Sequence, residues 1–240
     1  MRNRIYAYAI KYNGDYYKIK KAVEDNEEYE LLTYTESFIT IFDDEYPKCL
    51  LQLNEPPFIL FYKGNLDLLK SKMIGIVGGR KCSFEAQEMT IRLTKELSKR
   101  YTIVSGMAKG VDALAHKYAM HSIGILANGL DVIYPKENMI LYQYMEQYQL
   151  LISEYPNGVR PKKYYFPFRN RMIAALSSKL IVPSCKETGG TMVTVNEALK
   201  LNKEIYTVPY SLDVKYAQGC NHLIEQGANM ILSVNDIEDI

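Results

Sequence analysis

Tryptophan is absent from the 240-residue chain, and histidine occurs only at His116, His121 and His222. The four cysteines (Cys49, Cys82, Cys185 and Cys220) lie far apart and form no CxxC pair. A zinc centre therefore has no sequence support, and scattered free thiols fit a reducing cytoplasm better than a disulfide framework. No apolar run approaches the ~20 residues of a membrane span, so no membrane association is expected. The opening MRNRIYAYAIKYNGDYYK also lacks a continuous apolar stretch of signal-peptide length. Three nucleotide and hydrolase signatures are missing as well. The turn VGGRK is not GxGxxG, GMAKG lacks the Lys-Ser/Thr ending of a P-loop, and Ser105 lacks a GxSxG elbow. The chain has neither an internal repeat nor a low-complexity tail.

What is present is ordinary in bulk and uneven in detail. Hydrophobic content of 48% and charged content of 24% are globular values, sufficient for one large domain or one domain with an appendage. The net charge of +1 hides a gradient. Residues 1–72 carry 10 basic against 12 acidic side chains, or −2, and residues 73–240 carry 19 against 16, or +3. Any attraction to a polyanion must come from local clustering. The 21 tyrosines are read mostly as half-buried surface anchors.

From Met73 onward, short β-branched runs recur: 73–79, 102–106, 122–128, 150–155, 179–184, 204–210 and 229–234. Most lack the alternation of a strand wetted on one face, so they read as buried on both faces. Helical patterns fall between several of them, at 84–100 with Ser83 as N-cap, and at 111–121, 170–177 and 191–202. Alternation at this spacing implies βαβ crossovers, hence an α/β fold with a doubly wound, mainly parallel sheet. Residues 1–45 read as a small, mostly helical N-terminal appendage. Residues 46–240 form the main domain, in which 46–72 is a bridge whose Pro56-Pro57 precedes an apolar strand.

In such a sheet, ligands gather at the carboxyl ends of the strands. Polar, glycine-bearing turns stand at four of these ends: 77–81, 105–112, the stretch ending at Arg169-Asn170-Arg171, and 187–191. The third is the most informative. VRPKKYYFPFRNR, residues 159–171, carries Arg160, Lys162, Lys163, Arg169 and Arg171 beside Tyr164, Tyr165, Phe166 and Phe168, with no acid. Cations suit a phosphate backbone and aromatic faces suit unpaired bases, the combination of a single-strand nucleic-acid surface. Catalytic groups are less evident. Asp112 and His116, at i and i+4, fit an acid–base couple less well than a capping aspartate with a structural histidine. Glu154 is placed either to touch a ribose hydroxyl or to pair with an arginine.

The ordered set YPKCLLQLNEPPFILFYKG, IGIVGGR, IVSGMAKGVDALAH, GILANGLDVIYPKEN, LISEYPNG, FPFRNRMIAALS, TGGTMVTVNEAL and GCNHLIEQGA resembles the DNA-processing protein A family, also called Smf. The resemblance covers about residues 44–234. It implies an extended Rossmann-like domain that binds single-stranded DNA without catalysis and without a cofactor. It also implies a part in natural transformation or recombination, protecting incoming strands and helping to load the RecA recombinase. Family members commonly dimerise. By matching position, the resemblance places Gly78, Arg80, Ser105, Gly106, Ala108, Gly110 and Asp112 on the DNA-facing rim. Phe166, Arg169, Asn170, Arg171, Gly190, Thr191 and Thr194 join them. Arg80, Arg169 and Arg171 are expected to neutralise phosphates, backbone N–H groups of the glycines and Thr191 to cradle them, and Phe166 to stack on a base. Lys162 and Lys163 extend the electrostatic track.

The chain departs from the family pattern at Gly79, Ser184, Gly189 and Val195, all expected on the rim. The alternative from another class is a small-nucleotide-binding protein or nucleoside-monophosphate phosphoribohydrolase, with Glu187 or Glu154 assisting. The five-cation stretch argues against it, because a mononucleotide needs fewer cations than a tracked backbone.

Overall fold

The computed structural model describes residues 1–233, 236–237 and 240. Nine strands form one sheet: β1 (Phe38–Thr40), β2 (Ile59–Gly64), β3 (Met73–Ile76), β4 (Thr102–Gly106), β5 (Ser122–Ile125), β6 (Leu150–Ser153), β7 (Leu180–Val182), β8 (Ile205–Thr207) and β9 (Asn229–Met230). The sheet order is β1-β2-β6-β5-β4-β3-β7-β8-β9. Only the β1–β2 and β2–β6 pairings are antiparallel. The fold is therefore the expected α/β, Rossmann-like arrangement. The expected strand 229–234 is shorter than its apolar run, and its last residue, Val234, lies outside the described residues.

The α-helices include α1 (Arg2–Lys11), α2 (Tyr16–Glu24), α3 (Phe84–Leu97), α4 (Val111–Tyr118), α5 (Met139–Tyr148), α6 (Tyr165–Leu176), α7 (Gly190–Lys200) and α8 (Gln218–Glu225). Ser83 caps α3 as its sequence predicts, accepting the Ala86 N–H at 3.3 Å, and Leu93 and Leu97 are fully buried. Alternate strand residues serve opposite layers. Ile74, Ile76 and Ile103 pack with α3 and α4, while Val104, Ile123 and Ile152 pack with α6 and α7. Along residues 1–45, α1 carries Tyr6, which stacks on Phe38 of the edge strand β1 at 4.7 Å. The same cluster includes Phe61 of β2.

Other elements also differ from the sequence expectation: α5 and α8 fall outside the expected helical patterns, and β1 brings part of residues 1–45 into the main sheet. Helix α6 begins five residues before the expected start at 170. Pro167 stands in its first turn, where a missing N–H costs no intrahelical bond, so FPF continues as helix. Helix α5 has no clear apolar stripe: only Tyr142 and Met145 are buried, and Ile140 is 81% exposed.

The strand order decides where a ligand sits. The chain runs outward from β3 through β4 and β5 to β6, then returns to the other side of β3 as β7. The switch point lies between β3 and β7, and a crevice opens beyond their carboxyl ends.

Candidate nucleic-acid interface

Three of the four polar turns are tied together at that crevice. The Gly79 N–H donates to the Ser184 carbonyl at 2.8 Å, joining the turns after β3 and β7. The Val111 N–H donates to the Gly79 carbonyl at 3.2 Å, joining the turn after β4. Gly110 makes this approach possible. Its φ is +73°, and a side chain there would collide with the Gly79 carbonyl and the Arg80 backbone.

Beneath the turns lies a polar floor. Ser105 is fully buried and its hydroxyl donates to the Ile76 carbonyl at 2.6 Å, stitching β4 to β3. The place of a side chain at Gly106 is taken by Arg169 Nη1 and Asp112 Oδ2. Burial pushes the Asp112 carboxyl up, opposed by the Arg169 guanidinium and by hydrogen bonds from the Ala108 and Gly78 backbone. Burial likewise draws Arg169 down, with Asp112 opposing. Arg169 donates to the Ile125 carbonyl, while its Nε has no partner among the described residues. His116 Nε2 lies 2.6 Å from the Gly106 carbonyl, and burial holds its pKa at about 4, so the ring is a neutral structural donor at pH 7. The structural histidine of the sequence reading matches this floor, whereas the capping aspartate does not: Gly110 is the N-cap of α4, and Asp112, inside its first turn, makes no cap hydrogen bond.

Above it run two connected cavities. The larger, about 1180 Å³, follows the ends of β4 and β5 and the turn 131–137. The smaller, about 380 Å³, lies between the turns after β3 and β7 and the start of α7. Arg80, Lys81, Ala108, Phe166 and Arg169 line both. Six cations (Arg80, Lys81, Lys109, Lys136, Arg160 and Arg169) line the larger cavity against two acids. Both acids are engaged: Glu137 pairs with Lys109, and Asp131 accepts the Gly158 N–H at 2.8 Å. The Phe166 ring lies 5.6 Å from that of Tyr134, with the Arg80 guanidinium 5.7 Å above it.

The expected site residues thus do not all reach the crevice surface. Gly78, Arg80, Ala108, Asp112, Phe166, Arg169, Asn170, Gly190, Thr191 and Thr194 line one or both cavities. Asn170 Nδ2 and Thr194 Oγ1 each donate to the Gly190 carbonyl at 3.3 Å, fixing the start of α7. A methyl group added at Gly189 or Gly190 would meet nothing within 4 Å, so the α7 entrance is open. Ser105, Gly106 and Gly110 instead belong to the support. Lys162 and Lys163 are exposed beside the larger cavity, with Lys162 Nζ 5.4 Å over the Tyr165 ring.

Arg171 is a correction. The resemblance assigns it to a phosphate, but it turns to the opposite side of α6 and grips Glu154 with two hydrogen bonds of 2.6 Å. Its Nε donates to the Glu55 carbonyl at 3.0 Å. The paired side chains are 4% and 6% exposed, leaving no charge for a phosphate. Two of the four departures also lie off the rim surface. Val195 is core, and Ser184 is buried with its hydroxyl donating to the Tyr216 carbonyl at 3.1 Å. Gly79 and Gly189 do border the smaller cavity.

Sequence reading singles out neither Tyr134 nor Lys136, both of which line the larger cavity. The stretch GLDVIYPKEN carries them as part of the resemblance, without a reason to face the ligand. Their turn is brought to the rim by Asn138, whose Nδ2 donates to the Met107 and Ala108 carbonyls at 3.0 and 3.1 Å. Among the described residues no cluster of three or more His, Cys, Asp or Glu is arranged to hold a metal ion. No helix among them is long and apolar enough to cross a membrane.

Comparison with known proteins agrees with this architecture. The family model for DNA recombination-mediator protein A matches residues 37–240. The DNA processing protein DprA of Streptococcus pneumoniae is 39% identical over 202 residues, covering 82% of this chain and 72% of that protein. Its Bacillus subtilis counterpart is 40% identical over 205 residues, covering 83% and 69%. The X-ray structure of the S. pneumoniae protein superposes with a TM-score of 0.82 at 31% identity, over 99% of this chain and 92% of that one. The Helicobacter pylori DNA processing protein A, whose structure describes a single-stranded DNA binding mode, superposes with a TM-score of 0.79 at 33% identity. There the match spans 85% of this chain and 96% of that one.

Proposed function

The chain belongs to the DNA recombination-mediator protein A family, and from that premise we propose that it binds single-stranded DNA along the crevice without covalent chemistry. One observation carries the reading: a long groove lined by six cations against two acids, with Lys109 alone of the six paired to one of those acids, Glu137, and the Phe166–Tyr134 aromatic pair set among them. Arg80, Lys81, Lys136 and Arg160 neutralise phosphates along the groove, and Lys162 and Lys163 extend the track beside it. Phe166 and Tyr134 offer faces to unstacked bases. Arg169 supplies charge from below, held in place by the Ile125 carbonyl and by Asp112 across Gly106. In the smaller cavity, the open start of α7 presents backbone N–H groups from Gly190 and Thr191 to a phosphate.

The wider role proposed with it is the one that the family resemblance implies. The bound strand is protected and handed to a RecA-type recombinase during transformation or recombination, with the protein acting as a homodimer in the cytoplasm. The hydrolase alternative is weakened because Glu154, one of its two candidate groups, is buried in the ion pair with Arg171. Phe166→Ala tests the reading. Removing the ring is expected to weaken binding of a labelled strand by about 1–3 kcal/mol in fluorescence anisotropy, with circular dichroism unchanged. Unaltered affinity in the folded variant removes the aromatic pair from the interface.

A further inference from the structure

The basic–aromatic character of the crevice continues past its edge. Phe168 stands two residues after Phe166 on α6 and so points about 200° around the helix axis, away from the groove. Its ring lies 6.0 Å from that of Tyr16 and 6.3 Å from that of Tyr17, both at the start of α2. Tyr164 lies one turn before Phe168, whose N–H donates to its carbonyl at 3.4 Å, and the two share a face. Tyr164 is 63% exposed, and Lys162 Nζ sits 5.9 Å over its ring. Pro161 and Arg160, just before Lys162, already line the larger cavity. A chain of cations and rings therefore leads from the groove around the first turn of α6 to α2.

Helix α2 is built to continue it. Tyr16, Ile19 and Ala22 form its buried face. Tyr17, 62% exposed, and the exposed Lys18 and Lys21 stand outside. Asp15 is occupied as the N-cap, accepting the Lys18 N–H at 3.1 Å. The ion pair of this helix joins Lys20 to Glu24 at 3.9 Å, and among the described residues neither Lys18 nor Lys21 is paired. One acid, Glu55, approaches the aromatic end, where it accepts the Tyr17 hydroxyl at 3.5 Å. Lysines alone are an ordinary solvated face. Lysines beside an exposed ring, joined by further rings to a cationic groove, suit a flexible polyanion that carries its own flat bases.

We propose that α2 is a second contact for single-stranded nucleic acid, taking the stretch of strand that leaves the groove across the first turn of α6. The proposal rests on the groove itself binding the strand. Its consequence is length dependence: a strand confined to the groove ignores α2, and a longer one uses it.

The test compares the full chain with a Tyr17→Ala/Lys18→Gln/Lys21→Gln variant, all three positions being exposed, with thermal unfolding as the check on folding. Anisotropy is read with labelled oligothymidylates of about 6 and about 20 nucleotides, lengths spanning ordinary single-strand site sizes. The expected result is unchanged affinity for the short strand and loss of about tenfold or more for the long one. The salt slope for the long strand flattens by about 1.4, at 0.7 for each of two lost phosphate contacts. Equal affinity of both proteins for the long strand overturns the α2 contact and leaves the groove reading intact. Parallel loss for both lengths also overturns it, because α2 then belongs to the groove and does not extend it. Failure of the unsubstituted protein to bind either strand overturns the groove reading and this one together.

Discussion

Arg171 and Arg169 are separated by one residue in sequence and by the thickness of a helix in space. Arg169 faces the crevice floor, whereas Arg171 is locked to Glu154 with both partners nearly inaccessible. Breaking such a pair leaves an uncompensated buried charge, and that cost exceeds what an exposed ion pair contributes. Arg171→Ala is therefore expected to lower stability by about 3–5 kcal/mol, read as a shifted urea midpoint. The double variant Arg171→Met/Glu154→Leu is expected to recover most of that loss, since no orphaned charge remains. If Arg171→Ala keeps its stability yet loses strand affinity, the side chain serves the ligand after all. Arginine in a basic segment reads as available charge, and nothing local to 159–171 shows that Glu154, at the end of β6, waits beside it.

At the scale of elements, the strands from Met73 onward and helices α3, α4 and α7 are legible in the sequence because their apolar patterns are local. The start of α6 is not, because Pro167 reads as a break although the first turn tolerates it. Helix α5 is hidden by apolar residues on its solvent side. The placement of β3 beside both β4 and β7 is a long-range fact, and it is what makes the switch-point crevice. The rim turns then depend on glycine for different reasons. Gly110→Ala forces a positive φ onto a side chain that meets the Gly79 carbonyl. It is expected to cost more than about 1 kcal/mol and to weaken strand binding by disordering the rim. Gly190→Ala, facing open space, is expected to leave stability within about 0.5 kcal/mol. Denaturation midpoints of the two variants check this contrast, and equal destabilisation contradicts the steric account of the rim.

For the molecule as a whole, a net charge of +1 conceals a basic groove in an otherwise balanced surface. Of the residues that the sequence resemblance names, Gly78, Gly190 and Arg80 line the crevice. The resemblance has no means of assigning Tyr134 and Lys136 to the same wall, because Asn138 holds their turn through tertiary hydrogen bonds. The groove's cations and rings together predict a preference for unpaired strands: phosphates attract the cations in either form, and only unstacked bases reach the rings. Fluorescence anisotropy with a labelled ~20-nucleotide strand and its matching duplex, across a salt series, tests this most directly. The account predicts tighter binding of the single strand, with log affinity falling against log salt at a slope of about −3 or steeper, as expected for four or more phosphate contacts. Equal binding of the duplex, or no binding of the strand at low salt, would contradict it.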